Sequence, residues 1–408
     1  MQPITQETKL SSWKIFILGI QHVFAMFGAT VLVPALTGLD PAVALFTAGV
    51  GTLLFHLVTK RKVPVFLGSS FAFIAAISVV VKNQGIPYAG GGLIVAGLLY
   101  LLLSGLVIIF GSERIRSFFP PLVTGPMIMV IGLTLSPTII SNNIVGADVG
   151  TLGQRWIVVL AVIATMVIVS IFVKGFFKLV PVLLGIIVGY IVSVLFNLVD
   201  YTVIAKAPLF AIPAFQLPKF DIKAITLIAP IAIVTFMEHI GDITTNGAVV
   251  GKDFFKDPGL HRTLIGDGIA TVFAGMLGGP ANTTYSENTG VLAVTKIYSP
   301  FIIEVAAVFA IILSLIGKIG ALLQSIPGPV MGGVSILLFG MIASIGLRTL
   351  AESKVDFTQS RNLIIISLML VMGLSGVEFS IIEGATISGM SLAAIIGVVL
   401  NKILPQNI

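Results

Sequence analysis

Glu238 and Asp242 stand four residues apart in the apolar stretch LIAPIAIVTFMEHIGDITTNGAVV, and Glu287 lies in the polar run TTYSENTG. On a helix the first two share one face. A carboxylate at the centre of a membrane-spanning helix costs about 2.5–3.5 kcal/mol on insertion scales, so acids placed there serve function by default. No basic residue lies in that stretch. Two acids on one face without a counter-ion repel, and a proton shared between them suits a proton carrier. The structural alternative is a hydrogen-bonded or helix-capping acid. Glu287 sits where a half-helix could start. Amides at such a start can donate to a carbonyl, while the carboxylate accepts an N–H. Asn288 beside it reads as a structural tie within broken backbone.

His239 falls about 100° around the helix from Glu238 and reads as its hydrogen-bonded neighbour. His22 matches it in the first span and is a second candidate for carrying a proton. A metal-binding helix would set two histidines at i and i+4, which EHIGD lacks. With no cysteine in the chain, no metal site or cofactor is expected. Phe71 and Tyr285 suit either stacking on a flat ring or ordinary packing. Asp267 and Glu304 read as structural. Asn282-Thr283-Thr284 is a glycosylation sequon at a depth that modification cannot reach.

These groups need a frame, and the composition supplies it. Charged residues make up 10% of the chain and hydrophobic ones 57%. A soluble surface needs roughly 25% charged residues, so the chain reads as a polytopic membrane protein. Apolar runs of spanning length recur, without the alternation of a lipid-facing barrel. About fourteen spans follow, near 13–36, 41–58, 65–81, 90–111, 119–140, 156–173, 179–199, 223–250, 262–279, 283–297, 300–317, 329–347, 361–377 and 385–403. The polar start MQPITQETKLSSWK lacks a cleaved-signal pattern, so the first span is expected to direct insertion. Alternate connections divide the 23 Lys and Arg seventeen to six, which places both termini in the cytoplasm. The net charge of +6 belongs to loops beside the bilayer and implies no nucleic-acid partner.

Two spans are poor plain helices. VPVFLGSSFAFIAA (63–76) and GPANTTYSENTG (279–290) crowd Gly, Pro, Ser, Thr and Asn at membrane depth. Broken backbone there must be buried in protein or line a cavity. They are also counterparts: Ser69-Ser70-Phe71 matches Thr283-Thr284-Tyr285, and Gln21-His22 matches Glu238-His239. Downstream, Pro121, Gly125, Gly132 and Gly189 match Pro329, Gly333, Gly340 and Gly397 at a constant offset of 208. Two seven-span halves result, and an odd span count inverts the second. Inverted repeats with spans broken at corresponding places point to a secondary transporter with a midplane site.

The chain also resembles the nucleobase/ascorbate transporters. ENTGVLAVTK (287–296) fits their signature, and QHVFAMFGATVLVP (21–34), GSSFAF (68–73), KDPGLHR (256–262), PANTTY (280–285) and ESKVDF (352–357) are similar to the uracil permease branch. The resemblance implies fourteen spans in two inverted repeats, with spans 3 and 10 carrying short strands. It implies a core (12–111 and 223–318) moving against a gate (112–222 and 319–408), with dimerisation through the gates. It implies uracil and protons as partners, a bacterial cytoplasmic membrane, and no enzyme activity. Residues at the positions of Glu238 and Glu287 would bond the uracil ring. Backbone at Phe71 and Ser286 would hold its carbonyls, and Ala29, Ser70 and Tyr285 would line the site. Asp242 stands where some uracil permeases carry a histidine tied to coupling. A glutamate opens the signature where xanthine carriers show glutamine, which favours a pyrimidine edge. The alternatives are a xanthine, purine or ascorbate permease, or an intramembrane enzyme.

Overall fold

The computed structural model describes residues 11–382 and 385–405. Lys9 and most of the polar start therefore lie outside the described residues. The first half holds α1 (Ser12–Thr37), α2 (Pro41–Val58), strand β1 (Leu67–Ser69), α3 (Ile74–Asn83), α4 (Ile86–Phe110), α5 (Ser112–Arg116), α6 (Pro121–Ile139), α7 (Leu152–Phe172) and α8 (Pro181–Leu195). A one-turn 3-10 helix, Phe71–Phe73, leads into α3, and a π-helical turn, Ile140–Val145, follows α6. After the short α9 (Thr202–Lys206), the second half holds α10 (Ile222–Ile228), α11 (Ile231–Val250), α12 (Leu260–Leu277), strand β2 (Asn282–Thr284), α13 (Ser286–Thr295), α14 (Pro300–Ser314), α15 (Gly317–Gln324), α16 (Gly328–Glu352) and α17 (Ser360–Leu374). Strands β3 (Glu378–Ile382) and β4 (Ala385–Ser388) and helix α18 (Gly389–Ile403) complete it.

Among the described residues, seven stretches are long and apolar enough to cross a membrane, α1, α4, α7 and the combined α10–α11 among them, and five shorter apolar helices accompany them. The outward faces carry the apolar side chains that lipid demands: Ile109 and Phe172 are each 73% exposed. A water-facing helix would present charge there.

Packing repeats when the halves are exchanged. α4 lies on α12 as α14 lies on α2, and α7 pairs with α8 as α17 pairs with α18. α16 meets α7 and α8 just as α6 meets α17 and α18, while α6 and α16 face one another. Small residues permit close crossings. A Cβ added at Gly90 would sit 2.5 Å from the carbonyl oxygen of Gly275, and one at Gly275 would sit 2.7 Å from that of Gly90. Backbones in such contact gain dispersion that lipid tails cannot match.

β1 and β2 pair antiparallel: Leu67 with Thr284, Gly68 with Thr283, Ser69 with Asn282. Two further bonds extend the ladder, Ser70 N to Ala281 O at 2.9 Å and Tyr285 N to Phe66 O at 3.0 Å. These bonds interconvert when Ser70 is superposed on Tyr285. The repeat is therefore shifted by one residue from the hydroxyl-hydroxyl-aromatic match: Ser69, Ser70 and Phe71 correspond to Thr284, Tyr285 and Ser286. Side-chain chemistry misleads here because a one-residue slip exchanges the two faces of a strand. A second correction concerns 385–388, assigned above to the last span. These residues form β4, paired with β3, and α18 begins only at Gly389, capped by Ser388.

Candidate functional site

Both strands run straight into helices, the first starting at buried Phe71 and the second at exposed Ser286. Ser70 is the N-cap of the 3-10 turn and Tyr285 that of α13, and neither side chain caps its helix. The first amides of a helix have no acceptor within it. Two uncapped N-termini thus present donors and positive dipole ends at the strand pair. Gly68 makes the crossing compact, since a Cβ there would lie 2.3 Å from the Tyr285 ring. The Tyr285 hydroxyl is committed to backbone, donating to Ser69 O at 2.9 Å, and it accepts from Thr30 at 3.4 Å.

α11 brings the acids to this crossing. Asp242 Oδ1 accepts from Ser286 Oγ at 2.6 Å and Oδ2 accepts from Thr284 Oγ1 at 3.2 Å. One carboxylate thereby ties α11 to the end of β2 and the start of α13. Glu238, one turn earlier, is half-buried, and its Oε2 has no hydrogen-bond partner among the described residues. Glu287, second residue of α13, is half-buried. The three carboxylates lie within electrostatic range of one another. From the first half, Phe71 is 6% exposed and meets Phe339 of α16 edge-on at 5.8 Å. Ala29 and Ser70 are buried, and Ser70 Oγ is also without a partner among the described residues. A buried polar atom left unpaired is uncommon and calls for an explanation such as a ligand.

The histidines are held in different ways. Asn288 Nδ2 donates to the backbone oxygen of His22 at 3.0 Å and lies 3.1 Å from its Nδ1. A carbonyl only accepts, so Asn288 must present its NH2 here, and Nδ1 of His22 acts as acceptor. Asn288 thus ties α13 to α1. His239 Nε2 lies 2.9 Å from Thr263 Oγ1, whose own proton goes to Leu260 O at 2.9 Å. Nε2 must therefore donate, which leaves Nδ1 and Asp267 Oδ2, 2.8 Å apart, to share the next proton. Asp267, read above as structural, thus has His239 as its partner in the interior. Glu304 likewise has partners: His56 Nδ1 at 3.3 Å and Arg61 Nε at 3.0 Å. Asn282 of the sequon is buried, with Nδ2 on Thr47 O at 3.1 Å, and no glycosylating enzyme can reach it.

Asn246 went unremarked in the sequence. It donates to Pro64 O at 3.2 Å and Thr289 Oγ1 at 3.0 Å, joining α11, the approach to β1 and α13. A signal existed, because Glu238, Asp242 and Asn246 form one stripe at four-residue spacing. Among the described residues, no cluster of three or more His, Asp or Glu is arranged to hold a metal ion.

The chain as a whole is similar to known permeases. A permease family model, that of the xanthine/uracil permeases, matches residues 13–381. The uracil permease of Bacillus caldolyticus is 48% identical over 395 residues, covering 95% of this chain and 91% of that protein. The uracil permease of Escherichia coli K12 is 42% identical over 388 residues, covering 95% and 90%. Among solved structures, the transmembrane domain of a cyanobacterial bicarbonate transporter, BicA, superposes with a TM-score of 0.68 at 13% identity, covering 98% of each chain. The murine anion transporter Slc26a9 in its inward-facing state gives 0.71 at 11% identity, covering 98% of this chain and 69% of its own. The fold is that of membrane transporters.

Proposed function

The chain belongs to the xanthine/uracil permease family, the nucleobase/ascorbate transporters, and from that premise we propose that it imports uracil across the cytoplasmic membrane as a proton symporter. It is a multi-pass permease and not an enzyme. The observation that carries the site assignment is the Asp242 bridge, which holds the acidic stripe of α11 against the start of α13, where Glu287 lies.

Uracil alternates carbonyls and N–H groups around a flat ring. In this reading Glu238 and Glu287 accept its N–H groups, and the amides at Phe71 and Ser286 donate to its carbonyls. Ala29, Ser70 and Tyr285 line the pocket. A hydrogen bond to a charged group contributes about 1.5–3 kcal/mol. Eight heavy atoms at up to about 1.5 kcal/mol each allow micromolar binding, near −8 kcal/mol. Asp242 and Glu238 exchange the coupled proton, with His22 as the other candidate. Asn288 and His239 support the site from behind.

The fourteen-span reading takes 12–111 and 223–318 as core and 112–222 and 319–408 as gate. The packing of α6–α8 with α16–α18 supports it. The core would slide against gates that dimerise, with both termini cytoplasmic. Uptake of labelled uracil into proteoliposomes, challenged with unlabelled uracil, thymine, xanthine and ascorbate, tests the substrate. Competition by uracil and not by xanthine is expected, and strong inhibition by xanthine would assign a purine carrier instead.

A further inference from the structure

The connection between α4 and α6 carries a groove that transport chemistry does not use. It encloses about 360 Å3 between Leu103, Leu106 and Phe110 of α4, Arg114 and Ile115 of α5, and Phe118. Its apolar side continues onto the outer face of α4, where Leu102 and Ile109 are largely exposed. A span's exposed apolar face meets hydrocarbon.

Its mouth is cationic in a selective way. Arg116 is engaged by Glu113 at 3.4 Å and lies 4.5 Å over the ring of Phe255. Lys402 lies 4.2 Å over Phe118 and donates to Ser117 Oγ at 3.0 Å. Arg114, by contrast, is exposed, 6.0 Å from the Phe110 ring, and has no carboxylate partner among the described residues. A guanidinium fork pairs with a phosphodiester in two parallel bonds. An apolar trough ending in an uncommitted guanidinium matches a molecule with an acyl chain and an anionic phosphate.

We propose that this groove binds one anionic phospholipid, its acyl chain along Leu103, Leu106 and Phe110 and its phosphate on Arg114. Occupancy would be felt by the transport site. Phe119, at the same connection, packs edge-on against Phe236 of α11 with ring centroids 4.8 Å apart, two residues before Glu238.

The test takes the full-length protein, stripped of lipid in mild detergent and titrated with phosphatidylglycerol or phosphatidylcholine, bound lipid being counted by native mass spectrometry. The wild type should prefer phosphatidylglycerol. Arg114→Gln should weaken that binding about fivefold, the share of one cation near the membrane surface, with phosphatidylcholine unaffected. Leu106→Trp should fill the trough and reduce both lipids. Arg348→Gln, which removes a cation from α16, should change nothing. Undiminished phosphatidylglycerol binding by Arg114→Gln, or an equal loss in Arg348→Gln, would overturn the assignment. Neither result depends on transport, so the permease reading stands or fails separately.

Discussion

At the scale of single residues, the account rests on which carboxylates face substrate and which face protein. Asp242 is already bonded to two hydroxyls, whereas Glu238 has an oxygen with no partner among the described residues. Substitution should separate the roles. Glu287→Gln should weaken uracil binding about 10- to 100-fold, as expected for one charge-assisted bond. Asp242→Asn should leave equilibrium binding within a few-fold while accumulation against a gradient fails; undiminished accumulation at every external pH would remove Asp242 from the coupling step. Much of this was legible. An acid pair at i and i+4 without a base declares itself in a spanning stretch. The partners of Asp267 and Glu304 did not, because His239 and His56 reach them from other helices and no local spacing encodes that.

At the scale of elements, the crossing of β1 and β2 is over-determined by side chains. Thr271 Oγ1 donates to Asn282 O at 3.0 Å and accepts from Asn282 N at 3.2 Å, clasping β2 to α12. Thr271→Val keeps the shape and removes both bonds, leaving two buried backbone groups unpaired. A loss of about 1–3 kcal/mol follows, read as a lower apparent melting temperature in detergent. Gly68→Ala should cost about as much by forcing the Tyr285 ring aside. An unshifted melt for both variants would mean that the crossing is not what holds the two half-helices in place. Broken spans were readable from their small and polar residues. Their register was not: hydroxyl and aromatic types suggested Phe71 as the repeat counterpart of Tyr285, and only the backbone ladder gives that place to Ser70. The β3–β4 hairpin was missed for a related reason, since a short apolar strand before a helix carries the same composition as the helix itself.

At the scale of the whole molecule, the claim is that one body moves and the other does not. The chain has no cysteine, which makes it a clean host for cross-links. A Cβ at Gly28 of α1 would lie 3.0 Å from Val182 Cβ of α8, just short of the 3.5–4.5 Å that disulfides span. Gly28→Cys with Val182→Cys should therefore close on oxidation after a small adjustment. Uptake should stop when the pair is oxidised and return on reduction. Full uptake by the oxidised protein would exclude sliding of core against gate.

The most direct test is the energetics of uptake. Proteoliposomes holding the purified protein are given labelled uracil under an inward proton gradient, an inward sodium gradient, or neither, with and without a protonophore. Accumulation above equilibrium under the proton gradient alone, abolished by the protonophore and by Asp242→Asn, is the predicted result. Accumulation that follows sodium and ignores the protonophore, or that survives in Asp242→Asn, would contradict the idea that interior carboxylates both hold the ring and carry the proton.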